Sequence, residues 1–577
     1  MRSPRYHSIL ASTALALIFV APLSGLAQDL EIRAAAPAAT QGAPAAAPAG
    51  VQSTPAEAAS QGPVAATEPA TPPDPLASLD PADRPAAEKI RDLLATKADK
   101  LFPIKKEREA VVAFYQNRNL APVWLDKGVV NARATSVIAR MKTADTDGLE
   151  PADYKAPIFT DATPEALAEA DLKLTHVVLT FARHLQAGRF AYTRVSRNIE
   201  LPQAAPDAAD VLGKVTAAAD AGKALDEFSP QQEPYRKLKA ALADLRSKPN
   251  AAKGEGARQI EIVVANMERW RWYPRDLGNT HVVVNEPDFT LKVMVGDNQV
   301  WTTRVVIGKP STPTPLLSET MKSITVNPTW HVPYSIVHNE YLPALEQDPT
   351  VLERMGLRVS YGANGDVQIT QPPGDGNALG RLRFNFPNRF SVYHHDTPDK
   401  QLFANDVRAL SHGCMRIQDP AKYAEVLLNI ARPHEHWTAD RVKRMFGRAE
   451  QDLSLPPTQI WVHLTYQTAF VDNAGKLQMR RDLYGLDART LAAIRSERGG
   501  VEPAVARNRG PVVASAPAAA KPARTAARAE QPAYGSAPGY AQGYAQGYAP
   551  AYAPRVMGYA PSAPGYAPQR MPQFFYR

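Results

Sequence analysis

One residue among 577 is cysteine. No disulfide can therefore form within the chain, and stability must come from a hydrophobic core that a chain of this length readily supplies. Long apolar runs are also missing. The stretch Ile9 to Leu23 holds about 15 residues where a bilayer span needs roughly 20, and no later segment is longer and comparably apolar. Charge of one sign is scarce as well: 66 Lys and Arg stand against 58 Asp and Glu, a formal net charge of +8. Residues 501–577 carry Arg507, Arg509, Lys521, Arg524, Arg528, Arg555, Arg570 and Arg577 against Glu502 and Glu530, a net +6. The basic excess thus belongs to the C-terminal end and gives no sign of a nucleic-acid-binding domain.

The two ends have compositions of their own. Arg2 and Arg5 precede the apolar run, and Gly25-Leu26-Ala27 offers small residues where a signal peptidase cuts. We expect residues 1–27 to be a signal peptide directing export to the periplasm or cell wall; no cysteine follows to receive a lipid. Residues 28–84 are dominated by Ala and Pro, which cannot bury enough apolar surface to offset ordering entropy, and read as a disordered linker. Residues 489–577 read as a disordered basic tail ending in a Tyr-Ala-Pro/Gln-Gly array from Gly539 through Tyr566, with a period of four that is too short for a solenoid. Such a tail suits either adhesion to an anionic polymer or plain solubilisation.

Between the ends the periodicity changes near residue 258. Residues 87–94, 107–115, 132–143 and 172–186 repeat apolar positions at three-and-four spacing and predict helices. From about 280 the runs at 281–285, 289–295 and 299–307 are β-branched or alternating, and 460–471 with 476–479 flank the hairpin signal Asp472-Asn473-Ala474-Gly475. The expected class is α+β: a helical domain over 85–257 and a mainly β domain over 258–488.

The single cysteine, Cys414, lies in Ser411-His412-Gly413-Cys414-Met415-Arg416, 19 residues after His395 of His394-His395-Asp396-Thr397-Pro398. Gly413 permits a tight turn, and the serine, histidine and arginine nearby make a polar, electropositive setting expected to lower the thiol pKa. Asp419-Pro420 reads as an N-cap and first turn, so the thiol should sit on a strand or loop edge just ahead of a helix. Residue chemistry alone leaves a nucleophile, a metal ligand and a packing residue open, and favours the first.

The His…Ser-His-Gly-Cys-x-Arg arrangement resembles the catalytic motif of L,D-transpeptidases of the YkuD fold. The stretches Asn266-Met267-Glu268-Arg269-Trp270-Arg271-Trp272, Pro328-Thr329-Trp330-His331-Val332-Pro333, Asn377-Ala378-Leu379-Gly380 and Phe384-Asn385-Phe386-Pro387-Asn388 are similar to the large periplasmic branch of that family. Residues 114–124 resemble its helical scaffold domain. The resemblance covers roughly 85–488 and implies a capping subdomain at about 318–380, a lid over the site. A small wall-binding helical module common in that branch has no counterpart here, because residues 235–260 run almost directly from scaffold to catalytic start.

By this resemblance Cys414 is the nucleophile that forms a thioester with a peptidoglycan stem tetrapeptide, His395 is the general base and acid, and the Asp396 backbone carbonyl fixes its tautomer. His412, Ser411, Gly413 and Arg416 are supporting residues, with the Gly413 and Cys414 N–H groups as oxyanion donors and Arg416 either binding a stem carboxylate or bracing the loop. No cofactor or metal is implied. The acceptor stays open among a second stem's diamino-acid amine (a 3-3 cross-link), an envelope protein, a D-amino acid and water. Two rival readings stand beside this: a zinc amidase holding the metal through the same side chains, His395, His412, Cys414 and Asp396, and a non-catalytic wall-associated scaffold in which the basic tail does the binding.

Overall fold

The computed structural model describes residues 74–362, 365–455 and 460–496. The expected signal peptide, most of the linker and nearly all of the tail lie outside the described residues. Within them the class is α+β, a helical region followed by a mainly β region.

Helices α1 (Arg84–Leu101), α2 (Lys105–Asn117), α3 (Ala132–Lys142), α4 (Pro164–Ala187) and α5 (Ala208–Ala217) turn apolar stripes into one core. Thr163 caps α4 by accepting the Ala166 N–H, Pro164 stands in the first turn where a missing N–H is harmless, and Gly188 at φ 84° ends the helix. Inside the bundle the buried Asp171 accepts the Tyr115 hydroxyl at 2.5 Å and the Val123 and Trp124 N–H groups at 2.9 and 2.7 Å. That carboxylate closes the 114–124 segment onto α4. Burial lifts its pKa to about 6 despite those donors.

Helices α6 (Glu233–Ser247) and α7 (Gly254–Trp270) follow. The domain boundary expected at 258 falls inside α7: the change of pattern there is the start of an amphipathic helix, not a linker. The C-terminal turn of α7 is a buried charge hub. Glu268 accepts the Arg189 N–H at 2.6 Å and pairs with the guanidinium groups of Arg189 and Arg271 at 3.1 and 2.9 Å. Arg269 pairs with Asp487 at 2.7 Å and donates to the Tyr466 carbonyl at 3.0 Å. Since Arg189 follows α4 while Tyr466 and Asp487 belong to the β region, the hub ties the two halves together.

The β region is built on one sheet of twelve strands among the described residues. Its long strands are β1 (Thr280–Asn285), β2 (Thr290–Val295), β3 (Asn298–Gly308), β4 (Leu316–Met321) and β5 (Ser323–Val326). Strands β6 (Trp330–His331), β7 (Arg358–Tyr361) and β8 (Val367–Gln371) form a separate sheet. Then come β9 (Leu382–Asn385), β10 (His394–His395), β11 (Ala409–Ser411), β12 (Met415–Ile417), β13 (Gln451–Ser454) and β14 (Ile460–Thr465). The order is β13-β5-β9-β10-β12-β3-β2-β1-β14-β4, ending on the short strand Ile199–Glu200, with β11 beside β3. Val282, Val284, Leu291, Val293, Val305 and Ile307 bury one face against helix α8 (Pro420–Ala431), which brings Tyr423, Leu427 and Leu428. Asp419 takes the N-cap position of α8, but its side chain makes no capping hydrogen bond.

Three expected boundaries shift. The capping subdomain is smaller than 318–380, because residues through Val326 belong to the main sheet; the separate body is Trp330–Gln371, with its own core of Val337, Leu352, Leu357 and Ile369. The single strand expected over 460–471 breaks after Thr465, where the Asn266 amide takes the Thr468 N–H, and Ala469–Val471 pairs with Leu477–Met479 apart from the main sheet. Residues 489–496, expected in the tail, are helical. Helix α9 (Leu486–Ser496) buries Thr490 and Ala493, its start held by Asp482 accepting the Asp487 N–H at 3.1 Å. Likewise Leu76 is already buried inside the span read as linker.

The hub makes a prediction. Glu268→Gln leaves two buried guanidinium groups uncompensated and should destabilise the protein by about 3–5 kcal/mol, read as a lower urea midpoint. Glu261→Gln, which breaks the exposed pair with Arg495, should change it by less than about 1 kcal/mol. Equal effects would overturn the hub's role.

Candidate active site

Cys414 lies on the link between β11 and β12. The link is pinned from both sides. Gly413 takes φ 121°, a conformation that a residue with a Cβ rarely adopts. Ser411 Oγ accepts the Gly413 N–H at 3.1 Å and donates to the Cys414 carbonyl at 2.6 Å. From the other side Thr314 Oγ1 donates to the Gly413 carbonyl at 2.8 Å while accepting the Gly308 N–H at 2.9 Å. Sequence reasoning did not single out Thr314, because nothing in Pro313-Thr314-Pro315 marks a partner a hundred residues away.

Strand β10 runs parallel to β12, with His394 opposite Met415 and His395 opposite Arg416. The Met415 N–H donates to the Tyr393 carbonyl at 3.1 Å, which sets Cys414 beside Tyr393. Alternation along a strand sends Tyr393 and His395 to one face and His394 to the other. His394 faces the core, its ring 4.8 Å from that of Phe386 and its Nδ1 3.2 Å from the Tyr423 hydroxyl. On the opposite face the Tyr393 and His395 rings lie 5.8 Å apart, with the side chains of Cys414 and Trp330 near the Tyr393 hydroxyl. Cys414 Sγ is 4.0 Å from the carbonyl of Ser391, a residue held at φ 55°.

His395 Nδ1 lies 2.5 Å from the Asp396 carbonyl oxygen. A carbonyl only accepts, so Nδ1 carries the proton and Nε2 is left as the basic nitrogen. The Asp396 carboxylate works elsewhere: it accepts the Arg381 and Thr397 N–H groups at 2.9 and 2.7 Å and Lys400 Nζ at 2.5 Å. Gly380, at φ 60°, leaves it room, since a Cβ there would stand 2.5 Å from that carboxylate.

The electrostatics reverse one expectation. Burial pushes the Cys414 thiol up to about 11, outweighing the lowering effect of Tyr393, Arg416 and Arg383. Burial, reinforced by Arg416, pulls His395 down to about 3. The electropositive neighbours are present but desolvation wins, so thiol and imidazole are both neutral near pH 7.

The remaining motif residues separate. Arg416 is buried and pairs with Asp399 at 2.9 Å, an arrangement that braces the loop. His412 is exposed, and its Nε2 lies 2.6 Å from Glu340 of the lid. Of the two expected oxyanion donors, the Gly413 N–H is engaged by Ser411, while the Cys414 N–H has no acceptor among the described residues. The donors of the rival zinc set are not gathered: the Asp396 carboxylate points to Arg381 and Lys400, and His412 reaches the lid.

Comparison with known proteins agrees with this architecture. A scaffold-domain family model matches residues 109–242, and the YkuD model, described as the L,D-transpeptidase catalytic domain, matches residues 279–443. A Haemophilus influenzae protein named provisionally as an L,D-transpeptidase is 24% identical over 399 residues, 65% of this chain and 77% of that one. Among solved structures, an L,D-transpeptidase from Mycobacterium smegmatis is 13% identical, with a TM-score of 0.18, over 33% of this chain and 59% of that one. L,D-transpeptidase 1 of Mycobacterium tuberculosis is 13% identical, with a TM-score of 0.16, over 32% and 61%. The chain thus spans about three fifths of those solved chains, and at such TM-scores the likeness carries no argument. Fold, site and family matches define a transpeptidase-class enzyme. More narrowly, the chain carries a YkuD domain, the L,D-transpeptidase catalytic domain, behind an N-terminal scaffold domain.

A thiol whose pKa lies near 11 should react slowly with iodoacetamide at pH 7, the rate climbing steadily from pH 7 to 10. Mass spectrometry of the alkylated protein checks this. A rate that levels off below pH 8 would show a thiolate already formed and overturn the neutral pair.

Proposed function

We propose that this protein is a peptidoglycan L,D-transpeptidase that forms 3-3 cross-links through a thioester on Cys414, acting in the cell wall after export. One observation carries the reading. An imidazole anchored through Nδ1 sits on a strand parallel to the one that Cys414 immediately precedes, with Tyr393 of the same face beside both.

The chemistry follows from that pairing. The thiol of Cys414 attacks the carbonyl of the third residue of a stem tetrapeptide, and its proton passes to His395 Nε2 as the S–C bond forms. The Cys414 N–H is the donor available to the developing oxyanion, a contribution of about 2.7–4 kcal/mol where such donors have been removed. Collapse breaks the C–N bond to the terminal D-Ala, whose nitrogen takes the proton from His395 and leaves as the amine. A diamino-acid amine of a second stem then attacks the thioester. Its proton goes to Nε2, the new amide C–N bond forms, the S–C bond breaks, and the departing sulfur recovers the proton. Ser411 and Thr314 keep the cysteine link in place throughout, and Arg416 with Asp399 braces its exit.

Purified muropeptides incubated with the full-length protein test this. Cys414→Ala should give neither cross-linked nor trimmed products by mass spectrometry, and His395→Ala should lower the rate by about 10²–10⁴-fold. Wild-type rates in either variant would overturn the mechanism.

A further inference from the structure

Arg383 is the charged residue at this site that the mechanism above leaves unused. It lies on β9 directly opposite His395 in the antiparallel pair, so both side chains leave the same face of the sheet. Its guanidinium carbon stands 5.7 Å from the centroid of the Tyr393 ring, whose hydroxyl lies near Cys414. Every neighbouring arginine is matched: Arg381 pairs with Asp375, Arg389 with Glu200, Arg416 with Asp399. Arg383 has no carboxylate and no hydrogen-bond acceptor among the described residues, and its Nε is buried without a partner. A half-buried guanidinium presents five N–H donors in a planar fork, and of these the buried Nε is left without an acceptor, which is costly.

Resting on the proposed function, we infer that Arg383 forms a carboxylate-binding subsite that grips the free C-terminal carboxylate of the donor tetrapeptide, the group attached to the departing D-Ala. The planar fork matches a carboxylate in bidentate fashion, and the cation–π contact with Tyr393 holds it beside the thiol. The terminal carboxylate is one peptide unit from the carbonyl under attack, which puts guanidinium and thiol on neighbouring substrate groups. The subsite makes donor length a property of the site: a stem extended by one residue carries an amide where Arg383 requires an anion. Arg383 is thus a specificity-determining residue, and its unmet donors are the free enzyme's complement to the substrate's charge.

Binding rather than turnover separates this inference from the mechanism it rests on. In full-length Cys414→Ala protein, calorimetry with a disaccharide tetrapeptide should show affinity about ten- to a hundredfold tighter than for the same ligand with its C-terminus amidated. Adding Arg383→Gln should erase that ratio, and Arg383→Lys, which keeps the charge but loses the fork, should retain part of it. Retained affinity of the Arg383→Gln protein for the amidated ligand shows that its fold is intact, so that the lost ratio reports on the carboxylate alone. Equal affinity for acid and amide, or a ratio that survives Arg383→Gln, would overturn the subsite. An absence of turnover in wild type alongside an intact acid-to-amide ratio would instead count against the thioester mechanism and leave the subsite standing.

Discussion

Partial withdrawal of the reacting pair from water, His395 buried and Cys414 half-buried, shapes this site more than any single contact within it. Cys414 and His395 sit where burial raises the thiol to about 11 and lowers the imidazole to about 3. Both shifts oppose moving the proton from sulfur to nitrogen in the free enzyme. In the proposed reaction the ion pair exists only transiently, alongside the developing oxyanion, where the Cys414 N–H and the nearby guanidinium groups act in a low-dielectric setting and need no reorganisation.

That environment is assembled from distant parts of the chain, so its precision depends on the frame. The parallel register of β10 and β12 puts Tyr393 beside Cys414, and Thr314 and Ser411 hold the link from either side. The sheet in turn is anchored to the helical region through α7, where Glu268 and Arg269 reach to opposite halves of the molecule. Buried charges of this kind contribute less to net stability than apolar groups of the same size would, but they tolerate few alternative arrangements. A hub of paired guanidinium and carboxylate groups specifies one docking of scaffold on catalytic domain, which apolar packing alone would define less sharply.

Local pattern made much of this legible. The three-and-four spacing of α1 to α4 and the β-branched runs of β1 to β3 report one-sided burial directly, and the cysteine motif with the histidine before it marked the site. What stayed hidden was set by tertiary contacts. The electropositive neighbours of Cys414 can be read from sequence, but the burial that overrides them comes from its packing against the main core, which sequence distance does not reveal. The Asn266–Trp272 stretch was visible as a family-like motif, yet that its charges are buried and paired to residues 189, 271 and 487 depends on how three helices meet. Gly413 was read correctly as a conformational necessity, whereas the capture of its N–H by Ser411 follows from a turn geometry that one-letter codes do not carry.

The lid gives the water exclusion its handle. The Trp330–Gln371 body approaches the site at two places: Trp330 lies near the Tyr393 hydroxyl, and Glu340 meets His412 two residues before the cysteine. Glu340 lies in a π-helical turn, Val337–Tyr341, a strained form of helix that recurs at functional positions. Both contacts bear on residues adjoining the thiol, one on its aromatic neighbour and one on its loop. A displacement of the lid that released Trp330 would wet the Tyr393 face and lower the desolvation cost of the thiolate. The same displacement would loosen His412 and with it the link carrying the oxyanion donor.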